Sequence, residues 1–80
     1  SRGYATQIFK KVTGESINRY IINQRIEKAK ELLRNTHLKI NEVSLSVGYD
    51  NPTYFSSVFK NEVGISPREY RQRNIKYTSH

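Results

Sequence analysis

The feature that most constrains the fold of this chain is an internal repeat with an offset of 50 residues. Residues 4–20 align with residues 54–70, and six of these seventeen positions are identical. The identical pairs are Tyr4/Tyr54, Phe9/Phe59, Lys10/Lys60, Gly14/Gly64, Ser16/Ser66 and Tyr20/Tyr70. Because the pairs include a glycine and a serine suited to ending one helix and starting the next, chance similarity explains them poorly. The repeat predicts two copies of one helical unit.

Apolar residues recur at helical spacing along almost the whole chain. Their period predicts five helices, over residues 2–13, 16–34, 39–47, 51–62 and 67–74. Ser16 and Asn51 are expected to cap helices, Pro52 to occupy a first helical position, and Ser66 to form a capping box with Glu69. Since no strand pattern competes, the predicted fold is all-α.

The repeat also predicts how the chain is divided. A helix and a turn precede the second copy, and by the same offset their counterparts would precede residue 1. We therefore expect two helix-turn-helix units joined by a long linker helix, with the first unit truncated at its N-terminus. Residues 1–15 would be the remnant of the first unit, 16–38 the linker helix and a turn, and 39–80 the second unit with a C-terminal helix.

The charge of the chain points to a polyanionic partner. Fourteen Lys and Arg residues against seven Asp and Glu give a net charge of +7, which suits nucleic acid or an anionic membrane surface. The absence of cysteine excludes a disulfide framework and a thiolate metal site, and fits the cytoplasmic location that we expect. No spaced cluster of acids or histidines indicates catalysis, a metal or a cofactor, so a binding domain is favoured over an enzyme.

The second unit has helix-turn-helix proportions, with a short helix, a tight turn at Gly48 and a second helix. On that second helix Phe55, Val58 and Phe59 are predicted to face the core. The opposite face would carry short polar groups and a lysine, which are Thr53, Ser56, Ser57 and Lys60. The matching face of the first unit is Arg2, Gly3, Thr6, Gln7 and Lys10. Short polar side chains permit close approach to a major groove, although an ordinary solvated face stays an alternative.

The linker helix supports this interpretation by its length. It would span roughly 30 Å, close to the ~34 Å that separates two readers on one side of a duplex. Basic side chains suited to phosphate contacts are Lys10, Lys11, Arg25, Lys39, Lys60, Arg68, Arg71 and Arg73. Surface solubility is the simpler explanation for Lys11 and Arg73.

Seven ordered segments resemble the DNA-binding domain of the AraC/XylS family. They are Ile8–Gly14, Arg25–Leu33, Lys39–Val43, Val47–Tyr49, Tyr54–Lys60, Gly64–Pro67 and Tyr70–Arg71, and the match that they mark extends along nearly the whole chain. The resemblance implies two units that read adjacent major grooves of promoter DNA. It also implies a transcription factor, often an activator, that meets RNA polymerase and has its sensing or dimerisation module outside this chain.

By position, the resemblance assigns base reading to Arg2, Gly3, Thr6, Gln7, Pro52, Thr53, Ser56 and Ser57. The retained candidates for phosphate contacts are Lys10, Arg25, Lys39, Lys60, Arg68 and Arg71. The chain departs from the family at Ser44, where alanine is usual, while Gly3 and Ser57 offer little reach to a base. A basic membrane-surface or protein-interaction module stays an alternative, but its apolar helix faces would be the ones that the core needs.

Overall fold

The computed structural model describes residues 16–74 of the chain. Within this range four helices follow one another: α1 over Ile17–Asn35, α2 over Ile40–Ser46, α3 over Pro52–Val63 and α4 over Pro67–Asn74. Each agrees with its predicted counterpart to within one residue at either end, and the predicted all-α class is confirmed. The helix predicted over 2–13 lies outside the described residues.

The helices begin where the sequence places a capping side chain. The side-chain oxygens of Ser16 and Asn51 accept backbone N–H groups from the first turns of α1 and α3, at 2.9–3.1 Å. At α4, the hydroxyl of Ser66 accepts the N–H of Glu69 at 3.1 Å, and the N–H of Ser66 donates to the Glu69 carboxylate at 3.5 Å. These contacts satisfy N–H groups that a helix start leaves unpaired, which is why the boundaries were predictable.

The core forms between the second half of α1 and the three later helices. Its buried apolar members are Ile26, Ala29, Leu33, Val43, Val47, Tyr49, Phe55 and Phe59. The apolar stripe predicted for α1 is broader than this core, because Tyr20 and Ile21 are 41% and 39% exposed. The part of α1 that packs on the second unit therefore begins at the half-buried Ile22.

Ser44 lies where the family that this chain resembles usually has alanine, and the structure shows how its hydroxyl is accommodated. The residue is fully buried, and its Oγ donates to the carbonyl oxygen of Tyr49 at 2.6 Å. The Tyr49 N–H in turn donates to the Ser44 carbonyl at 2.9 Å. These two hydrogen bonds close the turn that follows α2. Because the buried hydroxyl has a partner, serine in place of alanine adds a hydrogen bond and leaves no buried polar group unpaired.

The last helix is fastened to the end of α1 by side chains. The guanidinium of Arg71 donates to the carbonyls of Leu33 and Thr36, at 3.1 and 3.3 Å. Arg34 donates to the Tyr70 hydroxyl at 2.8 Å. Because the last carbonyls of a helix have no partners within it, these bonds to Arg71 complete the C-terminus of α1.

Candidate nucleic-acid interface

Helices α2 and α3 and the turn between them, residues 47–51, form the complete helix-turn-helix of the described chain. The turn depends on Gly48, which has a φ of +99°, and on the Asn51 cap that starts α3. The buried rings of Phe55 and Phe59 fix one side of α3 against the core. The opposite side of α3 is therefore turned away from the core.

The exposed side of α3 differs from the predicted face in one respect. Thr53, Ser57 and Lys60 are exposed as expected, and so is Pro52, but Ser56 is half-buried, so its assignment to the exposed face was wrong. Two residues that the sequence analysis did not assign to this face, Tyr54 and Asn61, are also exposed, Tyr54 to 60%.

The difference amounts to a rotation of the outward face by about 50° around the axis of α3, at 100° per residue. When the half-buried Val58 is counted together with Phe55 and Phe59, the side of α3 that is inferred to face the core shifts toward Val58. When only the i, i+4 pair Phe55 and Phe59 is counted, the side of α3 opposite the core is centred on Ser57. These two phenylalanines were the sequence signal that could have placed the outward face correctly. In the structure both rings are fully buried.

The face predicted for the first unit lies outside the described residues. Arg2, Gly3, Thr6 and Gln7, with Lys10 beside them, stay sequence-based candidates. The structure therefore bears directly on Arg25 of the linker helix and on the candidates of the second unit.

Three of the predicted phosphate-contacting side chains are exposed cations. Lys39, Lys60 and Arg68 lie on α2, α3 and α4 or at their starts, and none of the three is paired with a carboxylate within residues 16–74. By contrast, Arg73 is 3.9 Å from the Glu69 carboxylate. The unpaired cations are the ones available to a phosphate without first breaking an ion pair.

Arg25 and Arg71 are held in fixed places by the fold. The guanidinium carbon of Arg25 lies 4.9 Å from the ring centroid of Tyr49, a cation–π contact beside the turn before α3. Arg25 is half-buried and forms no ion pair within the described range. Arg71 donates two hydrogen bonds to carbonyl groups at the end of α1. Because its guanidinium is already used there, Arg71 is a weaker candidate for a phosphate contact than Arg25.

An ion pair joins the beginning of α1 to the end of α3. Arg19 Nη1 lies 2.5 Å from Glu62 Oε1, with side chains 44% and 19% exposed. A pair this open to solvent contributes at most about 1 kcal/mol. The pair borders an open groove of about 440 Å³ between α1 and α3, which Ile22, Tyr54 and Ser57 also line.

The two glycines with positive φ provide a matched test of the turn before α3. Both have a φ of +99°, but a Cβ on Gly48 would lie 3.2 Å from the Arg25 guanidinium, whereas a Cβ on Gly64 would meet nothing within 4 Å. Gly64→Ala is expected to lose about 1–2 kcal/mol from backbone strain alone. Gly48→Ala is expected to lose up to about 0.5–1 kcal/mol more, because the Arg25 guanidinium must shift by a few tenths of an ångström and its contact with Tyr49 weakens.

Urea unfolding followed by circular dichroism measures both losses. In an Arg25→Ala background the extra cost at Gly48 should disappear while the cost at Gly64 stays the same. Equal costs for the two glycines in the unmodified chain would show that the Arg25 contact does not constrain the turn.

Residues 16–74 contain neither a metal site nor a membrane-spanning helix. No group of three or more His, Asp or Glu side chains is placed to hold a metal ion there. Of the helices in that range, none combines the length and apolar character needed to cross a membrane.

Comparison with known proteins places this geometry among transcription regulators. A family model described as a helix-turn-helix domain matches residues 1–73. The HTH-type transcriptional activator RhaR of Yersinia pseudotuberculosis is 41% identical over 70 residues, which are 88% of this chain and 24% of RhaR. The chain thus spans about a quarter of the length of that relative.

Solved structures show the same fold. The C-terminal domain of AraT, a response regulator from Geobacillus stearothermophilus, is 40% identical with a TM-score of 0.94, and the match covers all of this chain and 68% of that one. The DNA-binding domain of AdpA, a global transcriptional factor solved in complex with a target DNA, is 29% identical with a TM-score of 0.87. That match covers 91% of this chain and 66% of the AdpA domain.

Proposed function

Because the chain belongs to the family of AraC-type helix-turn-helix domains, we propose that it binds double-stranded DNA sequence-specifically and thereby regulates transcription. The observation that carries the proposal is the outward side of α3. It combines short exposed side chains at Thr53 and Ser57 with the exposed cation of Lys60, which has no carboxylate partner within residues 16–74. Such a helix can enter a major groove closely, with its first turns against the base edges.

The proposal includes a division of labour among the predicted contact residues. Base reading in the second unit falls on the exposed first turns of α3, at Pro52, Thr53 and Ser57, with Ser56 at the edge because it is half-buried. Lys39, Lys60, Arg68 and the stacked Arg25 neutralise phosphates, which position the protein without reading sequence. The N–H groups of Thr53 and Tyr54 at the start of α3 are bonded to the Asn51 side chain, so this helix start attracts a phosphate only through the positive end of its dipole.

We further propose that residues 1–15 supply a first reader, with Arg2, Gly3, Thr6 and Gln7 toward the bases and Lys10 toward a phosphate. The 19 residues of α1 give it a length of about 28 Å, somewhat less than the ~34 Å of one duplex turn. A single stiff helix of this length would hold two readers in adjacent major grooves and would favour bent DNA.

The regulatory context of the proposal extends beyond this chain. RhaR is named a transcriptional activator, and activation through RNA polymerase is the role that we propose here. A sensing or dimerisation module would lie outside these 80 residues. With bacterial DNA as its partner the chain would act in the cytoplasm, as a binding protein and not as an enzyme.

Binding to duplex DNA and to anionic lipid vesicles, measured as salt is raised, tests the proposal against the membrane-surface alternative. We expect submicromolar to micromolar binding to duplex at low salt, with log K falling linearly against log salt and a slope of about −0.9 per phosphate contact. With four or five contacts the slope would be about −4. Binding to vesicles together with no measurable affinity for any duplex would contradict the proposal.

A further inference from the structure

The first turn of α3 carries an exposed aromatic ring next to the proposed base-reading residues. Tyr54 is 60% exposed, and its backbone N–H is held by the Asn51 side chain at 3.1 Å. We propose that the ring of Tyr54 packs on the 5-methyl group of a thymine in the major groove. This inference rests on the proposed function and adds a specific base contact to it.

The position of Tyr54 on α3 suits such a contact. It precedes Ser57 by three residues, so the two lie on neighbouring turns of the same side of the helix. Thr53 and Ser57 are both short and exposed, which leaves the tyrosine as the largest exposed side chain of the first two turns of α3.

The ring is also held in place before any ligand arrives. Its centroid lies 5.8 Å from that of Tyr49, with the two planes at 61°, an edge-on arrangement. Tyr49 is itself only 7% exposed, packs 5.7 Å from Phe55 and bears the Arg25 guanidinium at 4.9 Å. Because its support is rigid, Tyr54 loses little conformational freedom on binding, and its apolar area is available for a contact.

The chemistry of the major groove identifies the group that such a ring would meet. Among the base edges exposed there, the thymine 5-methyl is the apolar one, and it is recognised by apolar contact. An aromatic face or edge beside it excludes water from the methyl and distinguishes thymine from cytosine. The core does not depend on this ring, since Tyr54 is 60% exposed and is not among the half-buried residues packed against the buried cluster.

The sequence repeat gives the same residue type at the corresponding place. In the alignment of the two repeats Tyr4 corresponds to Tyr54, although the residues that follow them, Ala5 and Phe55, differ. Two tyrosines retained beside differing neighbours fit a shared contact with DNA.

The test replaces each thymine in turn by deoxyuridine, which removes only the methyl, in a duplex selected from a random pool by this chain. For the unmodified chain we expect one replacement under α3 to weaken binding about 4-fold, the effect of one methyl group taken out of water. Tyr54→Ala should weaken binding to the thymine duplex by about 5- to 10-fold. The same replacement should then have no further effect, whereas Tyr54→Phe should keep both affinity and sensitivity.

The controls separate this inference from folding and from the proposed function. Thermal unfolding of Tyr54→Ala should stay within a few degrees of the unmodified chain, because the side chain is mostly exposed. If duplex binding is specific but Tyr54→Ala keeps the sensitivity to deoxyuridine, the thymine contact is refuted and DNA binding stands. If Tyr54→Phe loses as much affinity as Tyr54→Ala, the hydroxyl makes the contact and the inference is equally refuted. Absence of binding to any duplex would refute both.

Discussion

Phe59→Ala is expected to remove about 3–5 kcal/mol from the free energy of unfolding, enough to leave much of the chain unfolded at 37 °C. Phe59 is fully buried and meets Phe55 at 5.9 Å and Tyr70 at 5.5 Å between ring centroids. Truncation would therefore open a cavity where α3 and α4 meet. A domain of 80 residues is stable by only about 4–12 kcal/mol, so this loss is a large fraction of the total.

Thermal and urea unfolding followed by circular dichroism measure this effect. Leu45→Ala is the matched control, because Leu45 is a large apolar residue that is 59% exposed on α2. Its truncation should change the free energy of unfolding by less than about 0.5 kcal/mol. A cooperative transition of Phe59→Ala within 1 kcal/mol of the unmodified chain would show that the aromatic packing is not the centre of the core.

Thr53→Glu is expected to abolish DNA binding while leaving the fold intact or slightly more stable. The first turn of α3 contains no acidic residue, and a carboxylate near a helix N-terminus contributes about 0.3–1 kcal/mol. The same carboxylate on the outward face would lie against phosphates and base acceptors. Like-charge contacts in an interface cost several kcal/mol, so the affinity should fall by at least about 100-fold.

Binding to a random-sequence duplex at low salt, together with thermal unfolding, separates the two effects. Lys28→Gln is the control, since it lowers the net charge by the same unit on an exposed side chain that is paired with Glu31 at 3.6 Å. It should weaken binding by less than about 3-fold. If the two variants lost the same affinity, total charge and not the face of α3 would control binding.

The sequence was sufficient for the helices because their boundaries depend on local chemistry. Ser16, Asn51 and Ser66 cap helices through their own side chains, and Gly64 ends α3 with a positive φ, so each signal lies within a few residues of the boundary that it sets. The repeat added the relation between the units. Helix boundaries and the repeat can both be predicted from the spacing of residue types along the chain.

The candidate site was predicted less completely, because it depends on contacts between distant parts of the chain. The ion pair of Arg19 with Glu62 joins residues 43 positions apart, and no local pattern indicates it. The same holds for the place of Arg25 over Tyr49. Ser56 was misplaced because a helical wheel gives each apolar residue equal weight, whereas two phenylalanine rings dominate the packing of α3.

Selection of bound sequences from a random duplex pool by this chain tests the central claim most directly. The account predicts an enriched motif, and for two readers, two short motifs centred about 10 base pairs apart. Thr53→Glu should eliminate the enrichment of the motif that α3 contacts. A pool that stays random after repeated rounds, although the unmodified chain is folded and retains duplex, would contradict sequence-specific reading by α3.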